Sequence, residues 1–171
     1  MLKFSSFSKL LPMAVAVLAG AAVPFQAASN AALGRALGHP LWATLTSLAV
    51  SVLVVLPLML LMRVPAPALA IAARGPAWWW LGGVAGVLYI TVALIMTPKL
   101  GAASFIASVV AGQMLASLLI DHYGLMGMAA KPASVLRVAG VALIVLGMIV
   151  VQMNSKPAAS MLRGASSAER L

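Results

Sequence analysis

The chain contains very few side chains that do chemistry. Its 171 residues include no cysteine and only two acids, Asp121 and Glu169. The lack of cysteine excludes disulfides, thiol catalysis and cysteine metal sites. The sequence also has no P-loop, no paired carboxylates, no metal-binding cluster and no nucleophile–base arrangement. We therefore predict that the protein is not an enzyme and needs no cofactor.

Charge is scarce as well. Only 8% of the residues are charged and 64% are hydrophobic, which is far outside the usage of soluble proteins. This composition predicts an integral membrane protein that is surrounded by lipid. The formal net charge is +9, but it includes no long basic run, so we do not expect a nucleic-acid partner. In membrane proteins, Lys and Arg collect in loops as orientation signals.

Five apolar segments are long enough to cross a hydrocarbon core of roughly 30 Å. They cover about residues 10–28, 41–62, 77–97, 102–120 and 134–152. The sequence therefore predicts an all-α integral membrane protein, with a five-helix domain over residues 1–152. Residues 153–171 are polar and rich in Ser and Ala, which predicts a disordered tail. The first segment could alternatively be a signal peptide with a small-residue exit at Ala27-Ala28.

Small residues are spaced for close helix packing in the third and fourth segments. One face of the fourth segment carries a small residue at every fourth position, and the third contains a Gly-x-x-x-Gly motif. These predicted packing residues are Ser104, Ser108, Gly112 and Ala116, with Gly82 and Gly86. The link around Pro98 and Gly101 is so short that the third and fourth helices must be antiparallel neighbours.

A second row on the fourth segment is polar and consists of Gln113, Ser117 and Asp121. Polar side chains in lipid are costly unless they meet protein or water, so this row should face the protein interior. Asp121 falls where the helix should end, and the helix dipole there disfavours an anion. We predict a structural ion pair with a nearby cation. The candidate partners are His122, Lys131 and Arg137, and the alternative is that Asp121 binds substrate or a coupling ion.

Positive charges are nearly balanced between the two sides of the membrane. With the N-terminus inside, six Lys and Arg residues lie on that side and five on the other, three of them in the tail. The positive-inside rule then favours N-inside only weakly, so insertion in both directions is possible.

A set of glycines, amides and loop residues over about residues 10–152 is typical of one transporter family. In chain order the set is Gly20, Gln26, Asn30, Leu33, His39, Pro40, Trp79, Trp80, Gly82, Gly83, Gly86, Pro98, Leu100, Gly101, Ala102, Gly112, Gln113, Ser117, Asp121, His122, Tyr123, Gly124, Arg137 and Gly140. With these residues the chain resembles the YdcZ-type family of small bacterial inner-membrane proteins, within the drug/metabolite transporter (EamA-like) superfamily.

The resemblance implies half of a ten-helix transporter that works as an antiparallel dimer. The partner would be a second copy or a sister five-span protein, and the dimer would export a small molecule of unknown identity. The alternatives are a flippase for a lipid or lipid-linked anion, and a membrane assembly subunit that transports nothing. We predict a path between protomers that is lined by Gln26, Asn30, Tyr89, Gln113 and Ser117.

Two further points concern that path. Gln113 could instead be a structural hydrogen bond between helices. In addition, no Asp or Glu lies in the middle of any predicted span. This argues against a multidrug-type cation antiporter, because such a mechanism needs an embedded carboxylate for which proton and substrate compete.

Overall fold

Six α-helices follow one another through the described part of the chain. The structure, a computed structural model, describes residues 2–153, with side chains from residue 10. The helices are α1 (Leu2–Ala36), α2 (Pro40–Leu61), α3 (Leu69–Arg74), α4 (Leu81–Leu100), α5 (Ala102–Tyr123) and α6 (Val135–Met153). Within these residues, five segments are long and apolar enough to cross a membrane: Leu10–Ala36, Pro40–Leu61, Ala77–Leu100, Ala102–Tyr123 and Val135–Met153. The predicted five-span, all-α fold is confirmed. The predicted disordered tail lies outside the described residues from residue 154 onward.

The first helix is longer than the predicted segment of about residues 10–28. It continues to Ala36, because residues 28–36 are rich in alanine, the strongest helix former. Pro24 lies inside α1 and does not end it, as happens in membrane helices where neighbours compensate the freed backbone groups. Gln26 and Asn30 therefore lie inside the helix, whereas the predicted segment would have ended at about residue 28, between them.

Two of the connections between spans are very short. His39 caps α2, because its Nδ1 accepts a hydrogen bond from the backbone N–H of Leu41 at 3.2 Å. Gly101 alone separates α4 from α5, with φ 81° and ψ 152°. This conformation is essentially restricted to glycine. A one-residue link makes α4 and α5 antiparallel neighbours, and the two helices pack against each other.

The spans pack in a simple order. α1 packs against α2 and α4, α4 also contacts α2 and α5, and α5 packs against α6. α6 has no buried residue and lies at the edge of the protomer.

Among residues 10–153, the buried residues lie at one end of the bundle. They come from the second half of α1, the first turns of α2, the end of α4 and the first half of α5. Because consecutive spans run in opposite directions, these four regions lie at the same side of the membrane. The buried residues are Ala27, Ala31, Gly34, Ala43, Thr44, Ala93, Leu94, Thr97, Ser104, Phe105 and Ala111. The helices are thus well packed at one side of the membrane and largely exposed at the other.

Candidate functional site

A groove with polar side chains lies between α1 and α2. It has a volume of about 490 Å³. Its polar lining is Asn30 from α1 and Thr46, Ser47 and Ser51 from α2, and its aliphatic lining is Leu33, Val50, Val54 and Val55. Asn30 connects the two helices, because its Nδ2 donates a hydrogen bond to Ser47 Oγ at 3.1 Å.

Two of the three hydroxyl groups of this groove, those of Thr46 and Ser51, already donate their protons within α2. Thr46 Oγ1 donates its proton to the carbonyl oxygen of Trp42 at 2.8 Å, and Ser51 Oγ donates to that of Ser47 at 2.9 Å. Each hydroxyl therefore uses its donor on its own helix and keeps oxygen lone pairs available. Gln26 lies one turn before Asn30 on the same face of α1 and is exposed.

A second cleft, of about 350 Å³, lies between α5 and α6. Ser117 and the ion pair of Asp121 with Arg137 line it, together with apolar residues and Gly140. The distance from Arg137 Nη1 to Asp121 Oδ2 is 3.3 Å, and the side chains are 44% and 30% exposed, respectively. An ion pair this exposed stabilises a fold by less than about 1 kcal/mol.

The other two candidate partners of Asp121 have different contacts. Lys131 donates its backbone N–H to the carbonyl oxygen of Asp121 at 2.7 Å. His122 Nδ1 accepts a hydrogen bond from the backbone N–H of Ala133 at 3.1 Å. Both contacts hold the connection between α5 and α6 in place, and among the three candidates Arg137 is the one whose side chain pairs with Asp121.

A polar contact that the sequence analysis missed joins the other ends of α5 and α6. Gln152 Nε2 donates to Ser108 Oγ at 2.8 Å and to the carbonyl oxygen of Ser104 at 3.3 Å. α6 thus packs on the part of the small-residue face that Ser104 and Ser108 form. The sequence does contain a signal for this contact. If α5 and α6 are antiparallel neighbours, the end of α6 with Gln152 must lie beside the start of α5 with Ser104 and Ser108.

Tyr89 lies inside the packed part of the protomer. It contacts a cluster formed by Ala27, Ala93 and Phe105, which belong to α1, α4 and α5. Its hydroxyl oxygen is buried and has no hydrogen-bond partner among the described residues. A buried hydroxyl of this kind is a group that water or a ligand could satisfy.

The second half of α5 and the first half of α4 are open. Gln113 and Ala116 are exposed, and a Cβ added at Gly112, Gly82 or Gly86 would meet nothing within 4 Å. No helix of the described chain packs on these three glycines, so their packing role stays a prediction for a contact with another chain. Gln113 likewise makes no hydrogen bond to the described residues that would join two helices of one protomer.

The protomer does not bring the five predicted path residues together. Gln26 and Asn30 share a face of α1, Ser117 lines the α5–α6 cleft, Tyr89 is in the core, and Gln113 is on the open face of α5. Within the described residues, no group of three or more His, Cys, Asp or Glu could hold a metal ion.

One comparison with known proteins gives a match. A family model described as "Putative inner membrane exporter, YdcZ" matches residues 11–150, which is most of the chain. The match includes all five spans apart from residue 10 at the start of the first and residues 151–153 at the end of the last. No curated protein and no solved structure shows significant similarity to the chain.

Proposed function

The chain belongs to the YdcZ family, and from this membership we propose that it exports a small molecule across the bacterial inner membrane as an antiparallel dimer. The observation that carries the proposal is the open half of the protomer. Gln26 and Gln113 are exposed within membrane spans. An amide that faces hydrocarbon without a partner costs several kcal/mol, so a second protomer or an aqueous path must cover these side chains.

An antiparallel arrangement suits this surface. Two five-span chains that face opposite ways recreate the inverted repeats of larger transporters, in which the substrate site lies near the membrane midplane. The open glycines at Gly82, Gly86 and Gly112 would allow close contact with helices of the second protomer. The near-equal charge count on the two sides supports insertion in both directions.

The proposed path lies between the two protomers. Gln26, Asn30 and Gln113 would line it with amides, and Ser117 would add a hydroxyl from the α5–α6 cleft. Tyr89 would join the path when α4 and α5 move apart, because its buried hydroxyl has no hydrogen-bond partner among the described residues.

Flux from liposomes tests the transport function. Liposomes that contain the purified protein are loaded with a defined mixture of small metabolites, and the loss of each compound is followed by mass spectrometry. At least one compound should leave faster than from protein-free liposomes, and Gln113→Leu should abolish that flux while the protein stays folded. If no compound leaves faster, or if the variant transports normally, the proposal fails and a non-transporting assembly subunit becomes the better explanation.

Crosslinking tests the dimer. The chain has no cysteine, so Gly112→Cys introduces a unique thiol on the open face. It should form a crosslinked dimer, whereas Gly147→Cys on the edge helix α6 should not. Equal crosslinking at both positions would contradict a specific dimer contact.

A flippase for lipids or lipid-linked anions is the second candidate function. The α5–α6 cleft favours it, because apolar walls lead to the Arg137 guanidinium, which pairs with Asp121 through Nη1 and whose side chain is still 44% exposed. Movement of a fluorescent anionic phospholipid between leaflets of the same liposomes distinguishes this activity from solute export.

A further inference from the structure

We propose that the α1–α2 groove selects uncharged amphipathic molecules that carry hydroxyl or amide N–H groups. This inference rests on the proposed transport function and adds the class of substrate to it. It comes from the chemistry of the groove lining, from the hydrogen bonds already made there, and from where the groove lies on the helices.

The lining carries no charged side chain. Its eight residues are one amide, three hydroxyl residues and four aliphatic residues. The nearest charged residue further along α1 is Arg35, which lines a different cleft with Gly34 and Leu94. A charged ligand would therefore leave water without an opposite charge to receive it, which is strongly unfavourable.

Most of the polar groups left over in the groove can accept hydrogen bonds from a ligand. Thr46 and Ser51 have already given their protons to backbone carbonyls of α2. Ser47 Oγ accepts from Asn30 Nδ2, and the carbonyl oxygen of that amide has no hydrogen-bond partner within residues 10–153. Apart from the Ser47 O–H and the second N–H of Asn30, the available polar groups are thus acceptors, which hydroxyl and amide N–H groups of a ligand would satisfy.

The aliphatic part of the lining favours an apolar portion in the same molecule. Val50, Val54 and Val55 are 52%, 63% and 48% exposed, so no other helix of the described chain covers this side of the groove. A volume of about 490 Å³ is within the range of small-molecule sites. An amphipathic molecule would then lie with its apolar portion on these valines and its polar end at Asn30.

Photolabelling with matched probes tests the proposal. Four diazirine probes share a phenylbutyl skeleton and differ at one end, which is a carboxamide, a carboxylate, a trimethylammonium group or a methyl group. The full-length protein in nanodiscs is labelled, and the modified residues are located by mass spectrometry. We expect the carboxamide to label α1 and α2 around the groove roughly tenfold more than each of the other three.

The variant Asn30→Asp gives the sharpest test of whether Asn30 contacts the ligand. It keeps the shape of the side chain but places a carboxylate in the groove, so labelling should shift toward the trimethylammonium probe. Ala142→Asp is the matched control, because it places the same group beside α5, in a different apolar cleft. That control should leave the preference for the carboxamide at the α1–α2 groove unchanged, and far-ultraviolet circular dichroism verifies that both variants are folded.

Three results would overturn the proposal. Equal labelling by the methyl probe would mean that the groove only accepts apolar chains, and equal labelling by a charged probe would mean that charge is not excluded. An unchanged probe preference in folded Asn30→Asp would mean that Asn30 does not contact the ligand. These readouts do not depend on flux, so selective labelling without transport would reject the transport function and retain the binding preference.

Discussion

Replacing Gln152 with leucine should weaken the attachment of α6 to α5. α6 has no buried residue, and its side-chain hydrogen bonds to α5 lie at its two ends. Gln152 and Arg137 are 15 positions apart, which corresponds to about 22 Å along a helix. Hydrogen bonds between membrane helices average about 0.6 kcal/mol. Loss of the bonds to Ser108 Oγ and to the Ser104 carbonyl should therefore cost about 1 kcal/mol.

The assay is equilibrium unfolding in mixed micelles, followed by far-ultraviolet circular dichroism as dodecyl sulfate is added. A double-mutant cycle with Ser108→Ala isolates the side-chain pair, for which we expect a coupling of roughly 0.6 kcal/mol. Gln113→Leu is the matched control, because this exposed amide has no hydrogen-bond partner among the described residues and its loss should leave the free energy of unfolding unchanged. A coupling near zero, or an equal cost for Gln113→Leu, would refute the assignment of Gln152 as the amide that joins these helices.

Three further predictions follow from the links and charges of the bundle. Asp121→Asn should lower the free energy of unfolding by less than about 1 kcal/mol, because the pair with Arg137 is partly exposed. The loss should be smaller still in high salt. A loss above roughly 2 kcal/mol would indicate a buried pair. Gly101→Ala should cost roughly 1–3 kcal/mol in the same unfolding assay, since φ is 81° there, whereas Gly147→Ala in α6 should cost nothing. Two lysines added beside Arg35 should raise the share of chains with the N-terminus outside, as should removal of Arg63 and Arg74; an unchanged signal from C-terminal reporter fusions would contradict dual insertion.

The spans were predictable because the bilayer imposes a simple condition on the sequence. A helix must supply about 20 apolar residues to cross it, and short loops then fix which helices are neighbours. The end of the first helix was less predictable, because spanning length set its expected end at about residue 28, whereas the helix continues past Pro24 to Ala36. Whether a proline fits into a continuous membrane helix depends on the neighbouring helices, and the sequence of the helix itself does not show which helices those are.

The candidate site was only partly predictable for a related reason. Helical spacing tells which residues share a face, but not which helix that face meets. Ser104 and Ser108 were expected to pack closely, and the structure adds that they meet Gln152 on α6. Asn30 was predicted to line a path. The structure shows that it contacts the hydroxyl of Ser47 on α2, and no sequence pattern indicates how α2 is positioned along α1.

The structure separates the amides of the spans into two sets with different consequences. Asn30 and Gln152 make hydrogen bonds between helices of the same protomer, so they contribute to its stability. Gln26 and Gln113 are exposed, and the energy of an unpaired amide in hydrocarbon requires that something outside the protomer satisfies them. Stability and transport should therefore respond to different substitutions: leucine at Gln152 should loosen the fold, whereas leucine at Gln113 should impair only what the assembled protein does.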